Sequence, residues 1–277
     1  MKKTIAILIV ISISIFIYTK INGFSANEQI KPLPEVSLTS VSIDSIKPSN
    51  ELWLVNSDYP INAPQLEERM IPAFQAIPVS TEQISLQDTT LEAAQNWFAA
   101  AKKEISLDLS VVSGYRTEQK QEQLYLDAVD KSYVAKPNAS EHQTGLAIDI
   151  AVKGISWEDL DNTAEGKWLQ EAAWQYGFIL RYPKNKTNIT KVSYEPWHFR
   201  YVGIPHAYYC YKNNLAFEEY IQFLQKEKGY QLTLGGVNYL VYYIEENQGL
   251  IDVPKDLPYQ ISEDNLGGYI VTALIQS

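Results

Sequence analysis

The hydrophobic and polar positions of this chain follow two periods, one typical of strands and one typical of helices. Residues 145–152 alternate, which places one set of side chains on each face of a predicted strand. One face carries Leu146, Ile148, Ile150 and Val152. The other carries Ala147, Asp149 and Ala151. A carboxylate inside an apolar strand is costly unless it has a cationic partner, so Asp149 is a candidate functional residue.

The same patterns predict further elements on both sides of this strand. Strands are predicted at residues 51–56, 110–113, 178–181 and 197–202. One helix follows a Thr90 cap, with an apolar face of Leu91, Ala94, Phe98 and Ala101. A second follows a Thr117 cap, with a buried stripe of Leu124, Tyr125, Ala128 and Val129. A third helix is predicted at 167–176 and ends at Gly177. A fourth is predicted from an Asn214 cap to Gly229, and its buried face consists of Phe217, Tyr220, Ile221 and Leu224.

The two ends of the chain have a different character. Lys2 and Lys3 precede an apolar stretch from Ile5 to Tyr18, a pattern typical of a signal peptide or of an uncleaved membrane anchor. That stretch is shorter than the ~20 residues of a comfortable spanning helix, and both interpretations stay open for residues 1–25. Either one places the remaining chain outside the cytoplasm. Residues 26–50, rich in Ser, Pro and Lys, are predicted to be a tether.

Turn signals and short β runs indicate a separate segment at the other end. Gly235-Gly236 and Gly267-Gly268 flank runs of β-forming residues between 230 and 277. We therefore predict a domain at 51–229 and a small β-rich appendage at 230–277. The expected fold class is α+β, with a small antiparallel sheet flanked by helices.

Charge and composition narrow the possible chemistry. The net charge of −10 argues against nucleic acid as a partner. A single cysteine, Cys210, excludes an intrachain disulfide and a Cys-based zinc site. Any metal must then be held by carboxylates and histidines. The chain has three histidines, which are His142, His198 and His206.

Two of these histidines belong to a set with Asp149. His142 lies seven residues before Asp149, and His198 lies in a separate predicted strand. Two imidazoles and one carboxylate match a zinc site with an open fourth position, as catalytic zinc requires. Spacing alone leaves the alternative open, because a single histidine near a strand is more often structural.

Three sequence blocks decide between these readings. They are Ser113-Gly-Tyr-Arg116, then Ser140-x-His142-x-x-Gly145-x-Ala147-x-Asp149, then Glu195-Pro-Trp-His198. In this order they resemble the VanY-type D-alanyl-D-alanine carboxypeptidases and their D,D- and L,D-peptidase relatives, over roughly residues 51–225. The resemblance implies that His142, Asp149 and His198 bind Zn²⁺. It implies that Glu195 is the general base and acid.

The resemblance also suggests which residues face the substrate. Arg116 matches an arginine that stabilises an oxyanion or a carboxylate, and Ser140 and Gln121 match polar groups on the substrate side. His206 has no motif around it and is interpreted as a non-ligand.

The function expected from these blocks is removal of the terminal D-Ala from peptidoglycan stem pentapeptides by a zinc carboxypeptidase. Two alternatives are an L,D-carboxypeptidase that acts on tetrapeptide stems and a wall-binding protein that keeps a vestigial zinc site. The expected partners are peptidoglycan stem peptides, together with the cytoplasmic membrane if the N-terminal segment is uncleaved.

Overall fold

The computed structural model describes residues 28–61 and 66–275. The predicted signal peptide or anchor lies outside these residues. The chain divides into two compact units. The larger unit comprises Asn50–Gln222 and Glu263–Leu266. The smaller unit comprises residues 28–49, Phe223–Ser262 and residues 267–275.

Strands and helices alternate through the larger unit, and strands dominate the smaller one. The described strands are β1 (Gln29–Pro32), β2 (Leu38–Ser42), β3 (Met70–Pro72), β4 (Ser85–Gln87), β5 (Leu109–Ser113), β6 (Ala147–Val152), β7 (Phe178–Leu180), β8 (His198–Tyr201), β9 (Gly229–Leu234), β10 (Val237–Glu245), β11 (Leu250–Pro254), β12 (Tyr259–Glu263) and β13 (Gly268–Ile275). The described α-helices are α1 (Asp88–Ile105), α2 (Glu118–Asp127), α3 (Ala164–Ala172), α4 (Thr187–Thr190), α5 (Ile204–Asn213) and α6 (Phe217–Glu227). Short 3₁₀ helices lie between them, including Glu141–Thr144.

The larger unit is built around a four-stranded antiparallel sheet in the order β5-β6-β8-β7. Helix α1 packs on this sheet through Trp97, which is fully buried. The Trp97 ring lies 5.2 Å from the ring of Phe178 in β7 and 5.0 Å from that of Phe199 in β8. Such ring contacts add to the burial of apolar area. Helix α1 therefore covers one face of the sheet with apolar side chains, and the predicted α+β class is confirmed.

The smaller unit contains a five-stranded sheet in the order β1-β9-β10-β13-β12 and a two-stranded sheet of β2 and β11. Its buried cluster consists of Leu240, Tyr242, Ile251, Val253, Ile261, Val271 and Ala273. The β-rich character predicted for 230–277 is confirmed. The predicted tether at 26–50 is wrong for its described part, because β1 pairs with β9 and β2 pairs with β11.

Three local predictions also need correction. Residues 51–56 form no strand, although Leu52–Asn56 are buried, because they are held by single bonds such as Leu54 N–H to Asp264 O. In α2 the buried residue is Gln121, whereas Val129 is fully exposed. Helix α5 was not predicted, and Asn214 ends it in a left-handed conformation instead of capping α6.

Within the described residues, no helix combines the length and the apolar composition needed to cross a bilayer.

Candidate metal and catalytic site

Strand register brings two of the predicted site residues together. Asp149 of β6 pairs directly with His198 of β8. Side chains of directly paired residues project to the same face of a sheet with Cβ atoms about 4.5–5.5 Å apart. On the other side of β6, an irregularity between Val111 and Ser113 brings Ser113 opposite Asp149. Bulges often redirect side chains at active sites, and this one aligns Ser113, Asp149 and His198 across three strands.

His142 reaches the same place from a short helical turn. It lies in the 3₁₀ helix Glu141–Thr144, which ends at Gly145 with φ of 72°. Glycine adopts this left-handed conformation at little cost, and a Cβ at Gly145 would also collide with the sulfur of Met70. Gln87 N–H donates to the Gly145 carbonyl at 3.0 Å. The turn therefore enters β6 in one defined direction, with His142 beside Asp149.

The block Ser113–Arg116 supports His142 from the opposite side. A Cβ on Gly114 would lie 2.7 Å from the Ser85 carbonyl, so the approach of two backbone segments explains the glycine. The Gly114 carbonyl lies 2.8 Å from His142 Nδ1. A histidine with Nδ1–H donated to a carbonyl presents Nε2 as its free lone pair. Arg116 N–H in turn donates to the His142 carbonyl at 3.2 Å.

The donor geometry fits a tetrahedral metal. His142, Asp149 and His198 are buried, and their potential ligand atoms lie within 4.8 Å of one another. His142 Nε2 is 3.3 Å from Asp149 Oδ2, and His198 Nδ1 is 3.1 Å from Asp149 Oδ1. A tetrahedron with ~2.1 Å bonds has edges of about 3.4 Å. Asp149 Oδ1 is buried without a hydrogen bond, as expected of an atom reserved for a cation.

The charge states of two of these residues agree with metal binding. Burial, reinforced by Arg116, lowers the pKa of His142 to about 4, so the ring is neutral. Burial raises the pKa of Asp149, but His142 and His198 outweigh it and hold that pKa well below its usual range. A neutral imidazole and an ionised carboxylate are the forms that bind divalent metals.

Glu195 lies next to this cluster without belonging to it. The backbone holds Glu195 in place, because its N–H donates to Tyr182 O and its carbonyl accepts from His198 N–H. Its Oε2 is 3.5 Å from His198 Nδ1. Burial, opposed in part by His198, raises the pKa of this carboxyl to about 7. A carboxylate that exchanges a proton near neutral pH is suited to general acid–base work.

Arg116 is also brought to the site. Its Nη2 lies 3.2 Å from Asp149 Oδ2 and 2.8 Å from Ser113 Oγ. Its Nη1 donates to Gln121 Oε1 at 3.2 Å. Gln121 is fully buried and donates from Nε2 to the Ala135 carbonyl. Gln121 therefore orients Arg116, and its direct contact with substrate stays a prediction.

The remaining predicted residues divide into near and distant ones. Ser140 is buried and immediately precedes the turn that carries His142. His206 lies apart in α5, where its Nδ1 is 2.6 Å from the Tyr220 hydroxyl. His206 is outside the metal group that the described residues form.

Sequence reasoning missed a buried ionic cluster beside the site. Glu141, between the motif residues Ser140 and His142, is fully buried and contacts Arg181 and Arg200. Arg200, a charged residue within strand β8, was the available signal, as Asp149 was in β6.

Comparisons with known proteins agree with this geometry. Residues 83–204 match the family model described as VanY, D-alanyl-D-alanine carboxypeptidase. A D-alanyl-D-alanine carboxypeptidase of Enterococcus faecium is 33% identical over 259 residues, which cover 91% of this chain and 81% of that protein. The chain belongs to the VanY family of D-alanyl-D-alanine carboxypeptidases.

Solved structures show the same relationship. The vancomycin resistance D,D-dipeptidase VanXYg, in complex with a D-Ala-D-Ala phosphinate analogue, has a TM-score of 0.73 and 31% identity, covering 87% of this chain and all of its own. The D,D-pentapeptidase VanY of the VanB-type resistance cassette, in complex with Zn(II), has a TM-score of 0.52 and 34% identity, covering 62% of this chain and 98% of its own. The alignment with VanXYg covers 87% of this chain, which is more residues than the larger unit contains. The similarity to VanXYg therefore extends into the smaller unit.

Proposed function

We propose that this chain is a zinc-dependent carboxypeptidase that removes the terminal D-alanine from peptidoglycan stem pentapeptides. The observation that carries the proposal is the buried His142, Asp149 and His198 group with the Glu195 carboxylate 3.5 Å from His198. The relative that aligns with 91% of the chain is a D,D-enzyme, which disfavours the L,D alternative. A vestigial site is disfavoured because the Glu195 carboxylate, the proposed general base, lies beside the metal group.

The proposed roles of the residues follow from their positions. His142, Asp149 and His198 would hold Zn²⁺, which when bound supplies Lewis acidity toward the scissile carbonyl and the attacking water. Glu195 accepts a proton from water as the water oxygen bonds to the scissile carbonyl carbon. Glu195 then passes that proton to the nitrogen of the departing D-alanine as the C–N bond breaks. Arg116 offers a guanidinium to the developing oxyanion or to the terminal carboxylate.

Mass spectrometry of synthetic stems tests the proposed substrate. The purified chain is incubated with matched tetrapeptide and pentapeptide stems, with and without a zinc chelator. We expect the pentapeptide to lose one alanine in a chelator-sensitive reaction while the tetrapeptide stays intact. Cleavage of the tetrapeptide alone would establish the L,D alternative, and no cleavage of either stem would contradict the proposal.

We also propose that the protein acts outside the cytoplasm. The proposal is supported by Lys2 and Lys3 before the apolar stretch Ile5 to Tyr18, and by a substrate class that belongs to the cell wall. Protease accessibility in intact cells, compared with lysed cells, tests it. Digestion only after lysis would contradict it.

We expect Arg116→Lys to lose about 10²–10³-fold in kcat/KM while retaining zinc, as loss of a transition-state donor does. Lysine keeps the charge but cannot contact Ser113, Gln121 and Asp149 at once, as the guanidinium does. Steady-state kinetics on a D-Ala-D-Ala peptide, with zinc content measured in parallel, checks this. Kinetics within about threefold of the unaltered protein, far from that loss, would show that Arg116 is structural.

A further inference from the structure

A buried ionic cluster lies directly behind the candidate metal site. Arg181 Nε and Arg200 Nη1 both donate to Glu141 Oε1, at 2.7 and 2.8 Å. Arg181 also donates through both terminal nitrogens to Glu218, at 2.9 and 2.7 Å. Glu141 and both arginines are fully buried, and Glu218 is nearly so. Burying four charges is expensive, so a cluster of this kind calls for an explanation beyond stability.

The two oxygens of Glu141 have different surroundings. Oε1 accepts from both arginines, whereas Oε2 is buried without a hydrogen bond. Oε2 faces His198 Nε2 at 3.8 Å, beyond a hydrogen bond but within ion-pair range. His198 Nε2 is also buried without a hydrogen bond. Buried polar atoms normally have hydrogen-bond partners. Because one of these two atoms is an acceptor and the other a possible donor, each is the expected partner of the other.

The other ring nitrogen of His198 completes the picture. Nδ1 faces Asp149 Oδ1 at 3.1 Å, on the metal side of the ring. Histidines that bind metals almost always donate their second N–H to a carboxylate or a carbonyl, which sets the tautomer and the ring orientation. His142 meets this requirement through the Gly114 carbonyl. Glu141 is the group in the matching position for His198.

We propose that Glu141 is a positioning residue for zinc. Its Oε2 accepts the Nε2–H of His198, which leaves Nδ1 as the metal-binding atom. Arg181 and Arg200 hold Glu141 in place through Oε1. The inference rests on the zinc site of the proposed function, and it adds a residue that acts through His198 without touching metal or substrate.

Glu218 provides a matched control, because it belongs to the same cluster and contacts Arg181 but not His198. Glutamine can accept on only one atom of its amide. In Glu141→Gln, either the contact with the arginines or the contact with His198 must therefore fail. We expect zinc affinity, measured by chelator competition, to fall about 10–100-fold in Glu141→Gln. We expect Glu218→Gln to stay within about threefold, although both variants should lower the melting temperature.

Equal zinc affinity in the two variants would overturn the inference and leave Glu141 as a structural ion-pair member. If the unaltered chain binds no zinc, the proposed function itself fails, which separates the two outcomes. The cobalt-substituted proteins give a second readout, because the visible spectrum reports ligand geometry. That spectrum should change in Glu141→Gln and stay unchanged in Glu218→Gln.

A measurement on the unaltered protein keeps the inference testable if Glu141→Gln does not fold. Long-range ¹H–¹⁵N spectra of the zinc-bound protein, labelled with ¹⁵N-histidine, report the protonation of each ring nitrogen. The chain has only three histidines, so few signals need assignment. We expect His198 to show a metal-bound Nδ1 and a protonated Nε2 protected from solvent exchange. A metal-bound Nε2, or an Nε2–H in rapid exchange, would contradict the role of Glu141.

Discussion

Glu195→Ala is expected to lower kcat about 10²–10⁴-fold, the usual contribution of a general acid–base residue. Glu195 is buried beside the metal cluster, with Oε2 3.5 Å from His198 Nδ1, and it is not one of the three grouped ligand residues. Removing it leaves His142, Asp149 and His198 in place. Zinc content should therefore stay near one per chain.

Kinetics on a pentapeptide stem, together with metal analysis of the same sample, measure both expectations. Glu195→Gln is the control for shape, because the amide keeps the volume of the side chain but cannot take the proton. It should be as impaired as Glu195→Ala. If either variant retained full activity, proton transfer would have to be assigned to another group.

His198→Ala is expected to abolish stoichiometric zinc and, with it, activity. It removes one of three donors, so affinity should fall by more than the ~10–100-fold that loss of an outer-shell partner costs. His206 in α5 provides a matched control, because it is equally buried but contacts Tyr220 of α6. His206→Ala should retain one zinc per chain. Metal analysis of the two variants after dialysis makes the comparison.

Stoichiometric zinc in His198→Ala would remove that residue from the proposed ligand set. Loss of zinc in His206→Ala but not in His198→Ala would reverse the assignment of the two histidines. Activity measured on the same samples should follow the metal content.

Strand prediction succeeded where one face is uniformly apolar. Strand β6 was located because its faces differ, one lined by Ile148 and Ile150 and the other carrying Asp149. Residues 51–56 are equally apolar but are buried on all sides without a strand partner, and periodicity cannot distinguish these two environments. The buried face of helix α2 was predicted wrongly for the opposite reason, because its buried residue is the polar Gln121.

Distant pairings also explain the error at the N-terminal segment. Strands β1 and β2 are short, largely exposed and poor in regular alternation, so no local signal distinguishes them from a tether. They become strands because β9 and β11, some two hundred residues away, supply the backbone partners. Strand pairing depends on such partners more than on local composition.

The sequence by itself determined the chemistry of this protein. One cysteine and three histidines restricted the metal donors to imidazoles and carboxylates. The resemblance carried by three ordered motif blocks implied that Glu195 is the general base, which remains to be tested. Only the tertiary structure decided which ring nitrogen of each histidine faces the metal side, because cross-strand register and the contacts with Gly114 and Glu141 set those orientations. Glu141 was invisible as a functional residue until folding placed it between two arginines and His198. A linear motif specifies which groups are present, whereas their mutual geometry arises from long-range pairing.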